Sequence, residues 1–413
     1  MNEYTVSLVE QSFLSASLAD PAAELRRQLL AFASPPRAGA TVAIAVGSRG
    51  IGHLSAYISE VVAWVKSHGA SPFIVPAMGS HGGATAAGQQ TLLAGYGITE
   101  EVIGAPIHSS MDVVELPMGD AGVPVYCDRY AFQADHIIVI NRIKPHTSFH
   151  GRYESGLMKM LAIGLGKQRQ AEAIHRLGVD GLREVMPKVA RQVLAHAPIY
   201  LGIGIIEDAR ELTHAIALLR PAEIPETEPA LLEMARRLMP KLPLEDLDLL
   251  IVDEMGKDIS GLGMDPNIIG RLKILGQAEP ETPRIKVILV RALSAHAQGN
   301  AAGMGLADLI TRRFADAIDF DATYANVLTT GFLERGKMPI VMPNERDAIR
   351  MSLHAVNRPW QHARVLHIRN TLRLDQLHAS PALLEEIGQR PTCRILSQPL
   401  PLFDGETIRE LPN

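Results

Sequence analysis

The apolar residues of this chain fall into short unbroken blocks separated by stretches of helical periodicity, and the alternation predicts most of its elements. Residues 41–46, TVAIAV, read as a strand buried on both faces that stops at Gly47. Residues 73–76, 136–140 and 199–206 read the same way. A helix is predicted over 20–32, where Asp20 can accept first-turn N–H groups and Pro21 suits the first helical position. Others are predicted over 54–68, closed by Gly69, around 84–94, and in segments between 156 and 196. Strand–loop–helix alternation is the pattern of a parallel sheet with crossover helices. Residues 221–229 are rich in proline and glutamate; a short helix, Pro240 and Pro243 follow, and the domain boundary is placed here. The alternation then restarts, with strands expected at 249–252, 285–290, 340–341 and 365–368 and helices at 305–317, 324–328 and 346–357. The expected fold class is α/β, in two α/β domains, 1–243 and 244–413.

Composition narrows the function classes. Apolar residues are 47% and charged residues 21% of 413, which is globular and not disordered. Forty basic against forty-five acidic residues give a net charge of -5, so a nucleic-acid partner is not expected. Cys127 and Cys393 alone exclude a disulfide framework and four-cysteine metal sites. The start, MNEYTVSLVEQSF, lacks the basic and apolar regions of a signal peptide, and no run approaches ~18 apolar residues. The expectation is a soluble cytoplasmic protein with no membrane partner; association into a homo-oligomer is left open. Fifteen histidines, several beside Gly or Pro, suggest metal or proton chemistry.

Ligands of open α/β sheets bind beyond the carboxyl ends of the strands, so the loops there carry the candidates. They are Gly47-Ser48-Arg49-Gly50, Gly79-Ser80-His81-Gly82 and Pro145-His146-Thr147-Ser148-Phe149-His150. Arg49 can bind a carboxylate bidentately or make a structural surface pair. His81 sits where glycines admit a ligand, or caps a helix. His146 and His150 have zinc-pair spacing, but Thr147 stands where HExxH needs glutamate, with His150 in reserve should His146 point away. Gly164-Leu165-Gly166-Lys167 lacks the spacing of a phosphate loop, and the first strand–helix turn lacks GxGxxG, so an ordinary nicotinamide enzyme is not supported. Lys159 lies in the apolar stretch Leu157-Met158-Lys159-Met160-Leu161: a nucleophile or attachment point, or a lysine that snorkels to water. His175, alone, is an ordinary helix histidine.

Together these residues resemble the nickel-dependent lactate racemase family. The family has an arginine after the first strand, a Gly-x-His loop after the second, a Pro-His loop, a Gly-x-x-Lys segment and a histidine sixteen residues on. Arg49, Gly79-Ser80-His81, Pro145-His146, Gly156-Leu157-Met158-Lys159 and His175 occur in that order. The resemblance implies a first domain holding the site, a second closing the cleft over it, and a nickel-pincer nucleotide tethered to Lys159 with His175 on nickel. It further implies His81 and His146 as proton acceptors and Arg49 on the substrate carboxylate. Racemisation would proceed by removal and return of hydride, for which the pyridinium-type cofactor is the electron sink. The acidic residues before the arginine and the family's Tyr-Gln-x-x-Lys segment are missing. In place of the latter stands a glycine-rich segment, 256–271, with Asp258 and Asn267. This implies a racemase or epimerase of a 2-hydroxy acid other than lactate, with that segment reading the substrate rather than serving solubility. A zinc-dependent hydrolase or lyase using the histidines with Glu154, and a non-catalytic ligand-binding protein, are the alternatives.

Overall fold

The computed structural model describes residues 4–14, 16–47 and 50–412, and every side chain of these except that of Thr329. Those within Ser15–Met239 form one compact unit; those within Met1–Leu14 and Pro240–Asn413 form the other. This differs from a single cut at 243/244. Strand β1, Thr5–Gln11, pairs antiparallel with Arg373–Ala379 of the later unit, with Val6 and Val9 buried there.

The Ser15–Met239 unit is built on β2 (Thr41–Val46), β3 (Ser71–Pro76), β6 (His136–Arg142), β7 (Ile199–Glu207) and β8 (Thr213–Leu219), with a separate hairpin of β4 (Val113–Leu116) and β5 (Val125–Asp128). The sheet order is β3-β2-β6-β7-β8, parallel except for β8. Residues 42–46 of β2 are wholly inaccessible, which is why the run is apolar without alternation. The helix Leu54–Ser67 buries Tyr57, Ile58, Val61, Val62 and Val65 in the same core. Each such side chain contributes about 1.5–3 kcal/mol of transfer free energy. At the helix Pro21–Leu30, Asp20 Oδ1 accepts the Ala23 N–H at 2.9 Å, as its N-cap position requires. The chain runs outward from β2 to β3 and returns to β6 on the other side of β2. The carboxyl ends of β2 and β6 are therefore a topological switch point, where a crevice forms.

Most of the proline- and glutamate-rich stretch, from Ile224 on, belongs to a fifteen-residue helix, Ile224–Leu238, packed on β7. Pro225 stands in its first turn, where no N–H is needed. Pro229 removes only one internal hydrogen bond, and the freed Pro225 carbonyl accepts the Tyr153 hydroxyl at 2.8 Å instead.

The other unit has strand order β12 (Ile340–Met342), β11 (Leu309–Thr311), β10 (Arg284–Leu293), β9 (Asp246–Met255), β13 (Val365–Asn370), β14 (Arg373–Ala379), β1, β15 (Cys393–Ile395). It is parallel from β12 to β13 and antiparallel beyond. The helix expected over 305–317 resolves into β11, whose Leu309-Ile310-Thr311 is fully buried, and a short helix Arg312–Asp316 capped by Thr311. Two histidines are core residues of this sheet. His367 Nε2 lies 2.6 Å from Asp253 Oδ1, and His367 Nδ1 lies 3.1 Å from His378 Nδ1. Burial, then the neighbouring His367, holds the His378 imidazole down to about 3, so it stays neutral. Among the described residues no helix is long and apolar enough to cross a membrane.

Candidate active site

Three strand ends meet one segment, residues 156–164. Beyond β2, a Cβ at Gly47 would stand 3.4 Å from Asn141 Oδ1 and 3.7 Å from Met160 Cε. Asn141, on β6, donates its side-chain amide to the Gly156 carbonyl at 2.9 Å. Beyond β3, the Gly79 N–H donates to the Gly164 carbonyl at 3.3 Å. Gly79 combines φ +58° with a Cβ direction only 3.0 Å from Ile163 Cγ2, so a larger residue is refused on both grounds. Arg49 lies outside the described residues. The turn after it borders an open surface depression lined by Ile51, His53, Leu54, Ser55, Ser59 and Tyr96.

His81 is exposed at the entry to the short turn Gly82–Ala84. Its loop is fixed from below. Gln89, fully buried, donates to the carbonyls of Gly79 at 3.0 Å and His81 at 3.2 Å. The Gln89 side-chain oxygen accepts from Lys167 Nζ at 3.3 Å; Lys167 also donates to the Pro76 carbonyl and pairs with Asp128 at 3.1 Å. Burial lowers the Lys167 pKa and raises that of Asp128, each opposed by the other's charge. The lysine of the glycine-rich Gly164-Leu165-Gly166-Lys167 is thus a buried strut under the His81 loop.

The His146 loop is closed by reciprocal backbone bonds between Lys144 and Ser155, at 2.9 and 3.2 Å. Inside it, buried Glu154 accepts the N–H groups of His146 at 2.6 Å and Gly151 at 3.2 Å, contacts His150 Nδ1 at 3.2 Å, and pairs with Arg236. Burial alone would raise its pKa, but the bonds from His150 and His146 and the Arg236 charge hold it below the ordinary value. Glu154 is a structural carboxylate with its lone pairs engaged, not a base poised over a water. His150 is tied to it. The Ser148 N–H donates to His146 Nδ1 at 3.0 Å, so neutral His146 carries its proton on Nε2.

Lys159 is half-buried among the fully buried Leu157, Met158, Met160 and Leu161. A wide π-turn, Met160–Gly164, and the helix Lys167–His175 carry the chain onward to His175. His175 is solvent-accessible but crowded by protein; thinned hydration first, and the Lys159 charge second, hold its imidazole below the ordinary value. The two residues, sixteen apart in sequence, are therefore close enough in space for the Lys159 charge to be felt at His175. Among the described residues, no three His, Cys, Asp or Glu side chains stand close enough to hold a metal ion, so the histidines do not form a zinc set.

Sequence reasoning passed over Glu228. It is buried on the helix Ile224–Leu238, and its Oε2 accepts the Met158 N–H at 2.9 Å. Burial, opposed by the Met158 and Leu157 N–H groups, pushes its carboxyl from 4.5 up to about 8. A carboxyl raised on folding favours the folded state most below its unfolded pKa, and that contribution is lost as pH rises through the folded one. Melting temperature should fall between about pH 4.5 and 8. Glu228→Gln should remove a component on the order of 3–5 kcal/mol from that slope. An unchanged slope in the variant would show Glu228 ionised throughout.

In the other unit, the 256–271 segment follows β9 at the switch between β9 and β13. Lys257 is bonded to Asn326, and Arg271 to Asp308 at 2.7 Å and the Ile285 carbonyl at 2.7 Å, so both are ties. Asp258 is exposed and accepts the Ser294 hydroxyl at 2.5 Å. Asn267 donates from its side chain to Asp265 at 2.9 Å in a short helix N-terminus.

A parallel α/β unit with histidines in the loops beyond its strand ends, and a half-buried lysine on the segment those ends meet, is the class defined so far. Residues 2–185 match the family model described as the lactate racemase N-terminal domain. The matched stretch contains Arg49, His81, His146, Lys159 and His175, but not Glu228, Asp258 or Asn267. By fold the chain is similar to the lactate racemase apoprotein from Thermoanaerobacterium thermosaccharolyticum, with a TM-score of 0.51, 12% identity, and coverage of 89% of this chain and 99% of that one. No curated protein matches the chain by sequence.

Proposed function

We propose that the protein is an isomerase, a racemase or epimerase of a small 2-hydroxy acid, carrying a nickel-pincer nucleotide on Lys159. The observation that carries this reading is the place of Lys159 on the segment 156–164, where three strand ends meet, with His175 close enough to feel its charge. The residues fit such a group. A neutral imidazole offers the lone pair that nickel needs. A single histidine suits a metal that arrives with carbon and sulfur ligands of its own. When bound, the group supplies an electron sink for hydride, which side chains do not offer.

The chain's own residues do the rest. Arg49 holds the carboxylate bidentately. His146, its Nδ1 accepting from Ser148, directs its Nε2–H at the substrate hydroxyl as a hydrogen-bond donor, while His81 takes the hydroxyl proton and later gives it back. Asp258 and Asn267 read the remainder of the acid.

The test uses protein from a host that makes the cofactor, a panel of enantiopure 2-hydroxy acids, and chiral chromatography. At least one acid should lose its optical purity. His81→Asn and His146→Asn should each slow this by about 10²–10⁴-fold with nickel content unchanged. Asp258→Ala or Asn267→Ala should shift preference among the acids at unchanged nickel content. Nickel-loaded protein that racemises no member of a broad panel would overturn the reading.

A further inference from the structure

The helix Ile224–Leu238 meets the His146 loop and the start of the turn that carries Lys159. Its Pro225 carbonyl holds Tyr153, and its Arg236 holds Glu154, both in the His146 loop. Between them Glu228, 1% exposed, reaches the start of the lysine turn and accepts the Met158 N–H. The other carboxyl oxygen, Oε1, fills the space a Cβ would take at Gly156 and has no hydrogen-bond partner among the described residues. From the opposite side Asn141 holds the Gly156 carbonyl. The turn that aims Lys159 is thus clamped at its first residues by one buried carboxyl and one amide.

We propose that Glu228 is the positioning residue of the lysine turn: its carboxyl, seated where Gly156 has no side chain, binds the first free N–H groups and fixes the direction of Lys159. The proposal rests on Lys159 being the attachment point of the function proposed above. It also accounts for the glycine of Gly156-Leu157-Met158-Lys159. The backbone there, φ 175°, admits any residue, so the demand is for space alone. A carboxyl held protonated has a close mimic in glutamine, whose oxygen takes the N–H groups while its amide occupies the Gly156 niche.

The experiment needs no cofactor. The full chain is acetylated briefly with acetic anhydride across a pH series, and the Lys159 peptide is quantified by mass spectrometry against lysines elsewhere. Glu228→Leu should free the turn and raise the Lys159 labelling rate by about threefold or more, equivalent to about half a pKa unit. Glu228→Gln should restore the wild-type profile. Gly156→Ala, which displaces the carboxyl without deleting it, should match Glu228→Leu, and the double variant should add nothing. Should Glu228→Leu fail to melt cooperatively, Gly156→Ala carries the same test. Wild-type labelling in Gly156→Ala, fully additive effects, or a Glu228→Gln profile no closer to wild type than Glu228→Leu would each overturn the proposal. An adduct-free Lys159 in cofactor-making hosts, with labelling still answering to Glu228, would overturn the proposed function and leave the positioning role standing.

Discussion

Lys159→Ala is expected to reduce racemisation to background and leave the protein without covalently attached cofactor, at almost unchanged stability. The side chain is half-buried and is exchanged for a small one, so the fold should lose no more than about 1 kcal/mol. The second readout is His175. Its imidazole is held down first by crowding and then by the Lys159 ammonium, so removing the ammonium should raise its pKa, while Lys159→Arg should not. Histidine resonances followed through a pH titration read this in protein that has never met the cofactor. A His175 midpoint that does not move in Lys159→Ala would mean the two residues do not share a site.

The largest stability effect is expected at a residue with no part in the chemistry. Lys167→Met should cost about 3–5 kcal/mol, because it leaves Asp128 buried without its partner. The same change removes the donor that holds Gln89, and with it the support of the Gly79 and His81 carbonyls. Amide exchange over residues 79–84 should quicken beyond what the global loss of stability accounts for. Asp128→Asn in the Lys167→Met background should recover part of the melting temperature, since a neutral amide is easier to bury than an unpaired carboxyl. A Lys167→Met protein as stable as the parent would show that the pair carries no net structural weight.

What could be read from the chain follows from how local each signal is. β2 and the helix Leu54–Ser67 declare themselves through unbroken or periodic apolar runs, with Gly47 and Gly69 as stops. β1 does not, because its partners lie more than 360 residues away and its seven residues alternate only loosely. The segment 221–229 read as irregular chain ahead of a short helix because prolines usually end helices; here Pro225 sits in the first turn, and the carbonyl left free by Pro229 is satisfied by Tyr153. That His81 and His146 lie in loops beyond strand ends was legible from the strand pattern. Gln89, Lys167 and Glu228 were not, since a buried polar residue is marked by the groups that close around it, and those come from distant parts of the chain. The one local sign was Gly156, a glycine in an extended conformation that has no backbone need for it.

The most direct measurement is an intact-mass spectrum with peptide mapping of the chain produced in a host that makes the pincer nucleotide, beside a lactate racemase produced in the same host. The account predicts a covalent adduct in both, on Lys159 in this chain, with nickel in proportion to the adduct. An unmodified Lys159 in a preparation whose lactate racemase companion is fully modified would contradict it.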